Sequence, residues 1–173
     1  MSRYIKQDSK PLTTRVVTLL YRAPEILLGM KNYTEKVDVW SLGCVFAEMY
    51  SRIPLFYTAK DPVNLMEQIL MLMGSPDKEY WPELEDLPLY NQIFVKKEFK
   101  KGLSNHMFKM KTCIDELGLD LLSKMLQINP DRRISVHEAL NHPFFTSEPL
   151  PCKAEDMPKI EKESHEYNIR QAI

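Results

Sequence analysis

Residues 34–51, TEKVDVWSLGCVFAEMYS, constrain the fold more than any other stretch of the chain. On a helix with about 3.6 residues per turn, their apolar side chains lie on nearly every side. These side chains are Val37, Trp40, Leu42, Cys44, Val45, Ala47 and Met49. A helix that is apolar on most sides is normally buried. The sequence therefore predicts a central helix that begins at an N-cap, Thr34, and is surrounded by other elements.

Shorter helices are predicted on both sides of this central helix from their start and stop residues. They run from Pro24 to Gly29, from Asp61 to Gly74, from Asp115 to Leu126, and from the capping box Ser135–Glu138 to Pro143. Residues 75–112 contain three prolines and clusters of lysines and aromatic residues, which indicates an irregular insert with short helical turns. Residues 146–173 are broken by prolines and then charged, so we expect a tail on the surface or in disorder. The sequence thus predicts a mainly α domain.

Composition excludes several classes of function. The chain has 23 basic and 24 acidic residues, so no global field favours nucleic acid or a membrane surface. No apolar run approaches the roughly 20 residues of a membrane span. The three cysteines, Cys44, Cys113 and Cys152, are widely spaced and form no C-x-x-C pair. We therefore predict no metal site and no disulfide framework.

Three motifs carry a family resemblance. YRAPE ends at Glu25, DVWSLGC begins at Asp38, and INPDRRIS covers residues 128–135. In this order they resemble the C-terminal half of a eukaryotic protein kinase, in which A-P-E closes the activation segment. Their flanking residues resemble the cyclin-dependent, proline-directed branch of the Ser/Thr kinases. The resemblance implies a helical C-lobe without the N-lobe and the catalytic-loop segment.

The resemblance also divides the chain into segments. Residues 1–25 correspond to the end of an activation segment that closes in A-P-E. Residues 26–145 correspond to the helical core of the C-lobe, which includes the insert at about 75–112. Residues 146–173 form the C-terminal tail.

The resemblance assigns Arg22, directly before A-P-E, to substrate selection. Its guanidinium is expected to hold the backbone of Val16 and Val17 so that a carbonyl turns away from the residue after the phosphoacceptor. Proline has no N–H, so a site without that acceptor penalises proline less than other residues. Ser/Thr-Pro specificity is therefore implied. Taken alone, an arginine at this position would be interpreted as a partner in a surface ion pair.

Two threonines have counterparts in the family. Thr13, three residues before Val16, matches the threonine that accepts the activating phosphate, with the adjacent Thr14 as an alternative. Such a phosphate would add nearly two negative charges, and Arg3 is the nearby candidate to bind it. Thr18 matches the threonine that hydrogen-bonds the catalytic aspartate and lysine.

Three further residues are assigned to the framework around the A-P-E loop. Glu25 and Arg133 resemble a buried ion pair that joins this loop to the segment before the last helix, and a planar guanidinium suits bidentate pairing with a carboxylate. Asp38 resembles the aspartate that anchors the backbone of the catalytic loop. His142 is a lone histidine at a helix end, so we expect it to cap or pack rather than to catalyse.

The residues that perform the family's chemistry have no counterpart in the printed sequence. It contains no glycine-rich loop, V-A-I-K lysine, H-R-D catalytic loop or D-F-G triplet. We therefore expect no catalytic residue here and no cofactor bound by this chain alone, whereas the complete kinase would use ATP and magnesium. A kinase normally packs one face of the central helix against a helix before the catalytic loop. We expect that face to be exposed here and the chain to self-associate.

The residues TTRVVT, the WPELEDLP insert and the tail LPCKAEDMPKIEKESHEY resemble the transcriptional members of the branch. Those kinases phosphorylate the carboxy-terminal repeats of the large subunit of RNA polymerase II together with a cyclin. The expected partners are thus a cyclin and a protein with Ser/Thr-Pro sites, without direct nucleic acid or membrane contact. The expected location is the nucleus, with the cytoplasm as a second option. A cell-cycle kinase and a non-catalytic binding module on a kinase scaffold remain alternatives.

Overall fold

The computed structural model describes residues 18–109, 113–150 and 152–157, and this part of the chain is helical without any strand. The α-helices are α1 (Pro24–Leu27), α2 (Lys36–Ser51), α3 (Pro62–Met73), α4 (Tyr90–Ile93), α5 (Leu103–Lys109), α6 (Glu116–Met125) and α7 (Val136–Leu140). Short 3-10 turns lie at Leu19–Tyr21, Leu84–Asp86, Pro130–Arg132, Pro143–Phe145 and Ala154–Asp156. The predicted mainly α fold is confirmed. Among the described helices, none combines the length and apolar character needed to cross a bilayer.

Side-chain caps explain where α3, α6 and α7 begin. The Asp61 carboxylate accepts the Asn64 N–H at 2.8 Å at the start of α3, and Gly74 ends that helix with φ +86°. Asp115 accepts the Gly118 N–H at the start of α6. Both hydrogen bonds of the predicted capping box at α7 are present. The predicted caps at Asp61, Gly74 and Ser135 are therefore confirmed.

The predicted cap of the central helix agrees with the structure to within one residue. Helix α2 is assigned from Lys36, and Glu35, directly before it, already has αR backbone angles. The carbonyl of Thr34 accepts the Val37 N–H, and that of Glu35 accepts the Asp38 N–H, so a tight turn precedes the helix. The Thr34 hydroxyl accepts the Lys36 N–H at 3.4 Å, which is the side-chain bond predicted for a cap at Thr34.

Helix α2 lies at the centre of the fold and packs against α6 and the Leu19–Tyr21 turn. Gly43 permits the close approach of α6. A Cβ added at Gly43 would lie 2.9 Å from Leu126 Cδ2 and 3.1 Å from Met125 Cβ. Any larger side chain at this position would therefore push the two helices apart.

The two faces of α2 have different environments. Trp40, Cys44 and Ala47 are fully buried, whereas Leu42 is 58% and Met49 74% exposed. The apolar pattern predicted that this helix is buried on all sides, and that prediction is therefore wrong. The exposure agrees with the expectation that one apolar face of this helix is uncovered in this chain.

Candidate functional site at the A-P-E loop

A buried ion pair fixes the A-P-E loop to the rest of the domain. Arg133 Nη1 and Nη2 donate to the two carboxylate oxygens of Glu25 at 2.7 and 2.9 Å, and both side chains are buried. The remaining N–H groups donate to backbone carbonyls: Nη1 to Lys36 at 2.7 Å, Nη2 to Ile128 at 3.4 Å and Nε to Gln127 at 3.0 Å. All five N–H donors of the guanidinium are therefore satisfied, which a buried charge requires.

The same arginine is also tied to the central helix. The ammonium group of Lys36 donates to the carbonyl oxygen of Arg133, which reciprocates the Arg133 bond to the Lys36 carbonyl. The guanidinium carbon lies 5.2 Å from the centre of the Trp40 ring, within the range of a cation–π contact. The start of α2, the A-P-E loop and the segment before α7 thus meet at Arg133.

The turn before the A-P-E loop is anchored on α2 through Tyr21. Its hydroxyl donates to Glu48 Oε2 at 2.8 Å, and its carbonyl accepts the Ser41 hydroxyl at 2.9 Å. The hydrogen bond to Glu48 and, secondarily, burial raise the pKa of Tyr21. Backbone and side chain of the residue before Arg22 are therefore both held by the central helix.

The structure places the other predicted site residues in different surroundings. Arg22 is half-buried, and burial lowers the pKa of its guanidinium. Thr18 is exposed, and Asp38 is exposed in the first turn of α2, so the anchoring role of Asp38 stays a prediction. Thr13, Val16 and Val17 lie outside the described residues.

Several residues at this site escaped the sequence analysis. Tyr21 and Glu48 lie 27 residues apart and belong to no local pattern that indicates a hydrogen bond. Ser41 stands inside the DVWSLGC motif, and only the fold shows that its hydroxyl reaches the Tyr21 carbonyl. Lys36 carries no motif signal, because its role depends on the backbone carbonyl of Arg133.

His142 has the capping role that its position predicts. Its Nδ1 accepts the Phe144 N–H at 3.2 Å at the start of the Pro143–Phe145 turn. Since Nδ1 accepts, the ring proton lies on Nε2, which donates to Asp120 Oδ2 at 2.9 Å. The hydrogen bonds from Lys124 and His142 lower the pKa of Asp120.

Metal-binding and nucleophilic side chains are not gathered at this site in the described part of the chain. Among the described residues, no group of three or more His, Cys, Asp or Glu side chains could hold a metal ion. The one cysteine in the core, Cys44, has a raised pKa because it is buried, so its thiol is not a nucleophile. What the described residues show is a rigid frame around the A-P-E loop, held by the Glu25–Arg133 and Tyr21–Glu48 contacts.

Comparisons with known proteins assign this frame to a family. The model of the protein kinase domain matches residues 1–145. Cyclin-dependent kinase C-1 of Oryza sativa subsp. japonica is 41% identical over 159 residues, which are 92% of this chain and 30% of that protein. Serine/threonine-protein kinase ppk23 of Schizosaccharomyces pombe is 39% identical over 180 residues, covering 100% of this chain and 44% of that protein.

Among solved structures, the crystal structure of the yeast RNA Pol II CTD kinase CTDK-1 complex is similar. It has a TM-score of 0.78 at 32% identity and covers 86% of this chain and 48% of that chain. The chain thus spans less than half the length of each of these proteins. The chain belongs to the protein kinase family, and its similarity is to cyclin-dependent kinases, including a CTD kinase.

Proposed function

We propose that the chain is the C-lobe of a cyclin-dependent Ser/Thr kinase that phosphorylates Ser-Pro sites in the carboxy-terminal repeats of RNA polymerase II. The observation that carries this proposal is the anchoring of the A-P-E loop. Glu25 is held by Arg133 and Tyr21 by Glu48, on either side of the half-buried Arg22. The similarity to the yeast CTD kinase supports the substrate class.

In this proposal the chain positions protein substrate rather than ATP. Arg22 carries a positive charge, because an arginine guanidinium is not deprotonated in proteins. Its guanidinium shapes the substrate loop at Val16 and Val17 so that no acceptor meets the residue after the phosphoacceptor. Proline lacks an N–H and so loses nothing at such a site, whereas other residues bury an unpaired donor. The bound ATP and magnesium of a complete kinase would supply the phosphoryl group and neutralise its charge.

A cyclin partner and an activating phosphate complete the proposal. The similarity to cyclin-dependent kinases supports the cyclin and a location in the nucleus. We assign the activating phosphate to Thr13. Phosphosite mapping of the protein isolated from its own cells tests this assignment, and phosphate found only on Thr14 or Ser9 would contradict it.

The function itself is tested on the native protein. An antibody against these 173 residues would isolate it together with its partners, for assay with magnesium and ATP on a Ser-Pro repeat peptide and a matched Ser-Ala peptide. We expect phosphorylation of the first only, and a cyclin in the mass spectrum of the isolate. A tagged Arg22→Ala variant should lose the discrimination between the two peptides.

Two results would contradict the proposal. Equal phosphorylation of both peptides would show that Arg22 does not select proline. An isolate without a cyclin and without transferase activity would favour the binding module, and a cyclin of the cell-cycle type would favour a cell-cycle kinase.

A further inference from the structure

A strip of lysines crosses the insert between α4 and α5, far in sequence from the A-P-E loop. Residues 96–101 read KKEFKK, and all four lysines are exposed. The strip carries four positive charges and one negative charge, although the whole chain has a net charge of −1. Six residues extend over at most about 20 Å, so the positive charge is concentrated in a short length.

These lysines are not neutralised within the described part of the chain. None of Lys96, Lys97, Lys100 and Lys101 lies within ion-pair distance of a carboxylate there. Two of them instead lie over aromatic rings: Lys96 Nζ is 5.5 Å from the centre of the Tyr90 ring, and Lys97 Nζ is 5.1 Å from that of Phe99. Such contacts orient an ammonium group without cancelling its charge.

The backbone of the strip is fixed to α3 and its C-terminal end. Ser75 N–H donates to the Phe99 carbonyl, Phe99 N–H donates to the Ser75 hydroxyl, and that hydroxyl donates to the Lys97 carbonyl. Gly102 N–H donates to the carbonyl of Leu72 in α3. The charges are therefore presented on an ordered backbone, which lowers the entropy cost of binding.

A cavity of about 650 Å³ lies beside the strip. Phe99 and Lys100 of the strip are among the residues that line it, together with Trp81 and Tyr90. Trp81 and Tyr90 are buried, and the Tyr90 and Phe99 rings lie under Lys96 and Lys97, so these rings support the lysines rather than offer a free aromatic surface. The cavity therefore gives a bound segment space directly beside the positive charges.

Acidic side chains around the cavity favour a phosphopeptide over a nucleic acid as the bound molecule. Asp77 and Glu98 line it, and Glu85 is paired with Lys78 at 2.9 Å. A nucleic acid carries a continuous row of phosphates that would meet these carboxylates. A phosphopeptide carries separate phosphates, so it can place them at the lysines and its uncharged residues at the acids.

We propose that residues 96–101 bind the phosphates of a phosphorylated Ser-Pro segment, which lies in part in the adjoining cavity. This inference rests on the proposed substrate class, and it adds a docking surface for product repeats that is separate from the A-P-E loop. A phosphate carries about two charges, which lysines recognise as point charges. Binding of an already phosphorylated repeat would keep its unmodified neighbours close to the kinase.

The test is a binding measurement on the 173-residue chain by fluorescence anisotropy, without ATP. The probe is a labelled peptide with several phosphoserine-proline pairs, and the comparison is its unphosphorylated form. The strip variant is K96Q/K97Q/K100Q. The matched control K31Q/K60Q/K153Q removes the same charge from three exposed lysines elsewhere.

We expect the phosphopeptide to bind, its affinity to fall as salt is added, and the strip variant to bind about tenfold more weakly. The control variant and the wild-type chain should bind alike. Equal affinity of the two variants would overturn the proposal, as would tighter binding of an RNA or DNA oligonucleotide. Equal binding of the unphosphorylated peptide would overturn it as well.

Failure of this inference is distinguishable from failure of the proposed function. The kinase assay on the isolated native protein reads Ser-Pro phosphorylation whether or not the strip binds. A protein that discriminates Ser-Pro from Ser-Ala while this chain ignores the phosphopeptide would overturn only the docking surface.

Discussion

Arg133 and Glu25, 108 residues apart in the sequence, meet in the interior through two parallel hydrogen bonds of 2.7 and 2.9 Å. The pair closes the domain, because it joins the A-P-E loop near one end of the described chain to the segment before α7. No water is needed to satisfy the guanidinium, since its other donors reach backbone carbonyls. The energetic consequence is that neither partner is tolerated alone.

We expect Glu25→Ala and Arg133→Ala each to lower the free energy of unfolding by about 3–5 kcal/mol, because each leaves a buried charge unpaired. The double variant should cost clearly less than the sum. Chemical denaturation of the wild type and the three variants measures this coupling. The exposed ion pair Asp120–Lys124 serves as a control. A double-mutant cycle on this pair should give a coupling energy of less than about 1 kcal/mol. Additive losses at Glu25 and Arg133 would contradict the pairing.

Tyr21 gives a prediction with a pH dependence. The folded state raises its pKa, so the neutral hydroxyl stabilises the fold fully below the unfolded pKa of about 10. That contribution is lost as pH rises above 10 through the folded pKa. Tyr21→Phe should therefore cost about 1 kcal/mol at pH 8, and the difference from wild type should shrink above pH 10.

Urea denaturation across this pH range measures the effect, with Tyr57→Phe as a control because Tyr57 is 60% exposed. The control should show no such difference at either pH. A Tyr21→Phe difference that stays constant across the range would show that the hydroxyl does not donate to Glu48.

Gly43 determines how closely α2 and α6 approach. Gly43→Ala should destabilise the domain, because the added Cβ meets Leu126 and the Met125 Cβ, and overpacking costs about 1–3 kcal/mol. The gain of about 1 kcal/mol in helix propensity offsets only part of this. Thermal unfolding compares this variant with Val45→Ala on the exposed side of the same helix, which should change little. A Gly43→Ala variant that is more stable than the wild type would mean that α6 can move away from α2 without losing packing energy.

Local signals predicted those parts of the structure that depend on neighbours in the sequence. The caps at Asp61 and Ser135 are examples, because donor and acceptor lie three residues apart. The bond from Tyr21 to Glu48 depends on how a turn packs on α2, and no spacing encodes that. The apolar pattern of α2 indicates that a side chain can be buried, but not which element covers it. The prediction of burial was therefore wrong at Leu42 and Met49.

We expect the 173-residue chain, made by itself, neither to bind ATP nor to transfer phosphate. The β3 lysine, the catalytic aspartate and the magnesium-binding residues of protein kinases have no counterpart in its sequence. Titration with magnesium and ATP in a calorimeter, followed by an assay on a Ser-Pro peptide, measures both activities. Magnesium-dependent phosphorylation that persists after repurification would mean that other residues perform the chemistry.

The same chain should self-associate through the exposed face of α2. Leu42 and Met49 border a cavity of about 500 Å³ that is lined almost entirely by apolar side chains, including Phe46 and Phe144. Covering a large side chain such as these contributes about 1.5–3 kcal/mol, which favours the pairing of two copies.

Sedimentation velocity at increasing concentration should show a dimer or larger species. L42E/M49E should remain monomeric, because a charge at this face would be buried without a partner on association. Met71→Glu is the matched control, since Met71 is 55% exposed on α3, away from the cavity, and this variant should associate like the wild type. A wild-type chain that stays monomeric at high concentration would show that the exposed face does not bind a second copy. Association that persists unchanged in L42E/M49E would place the contact elsewhere on the domain.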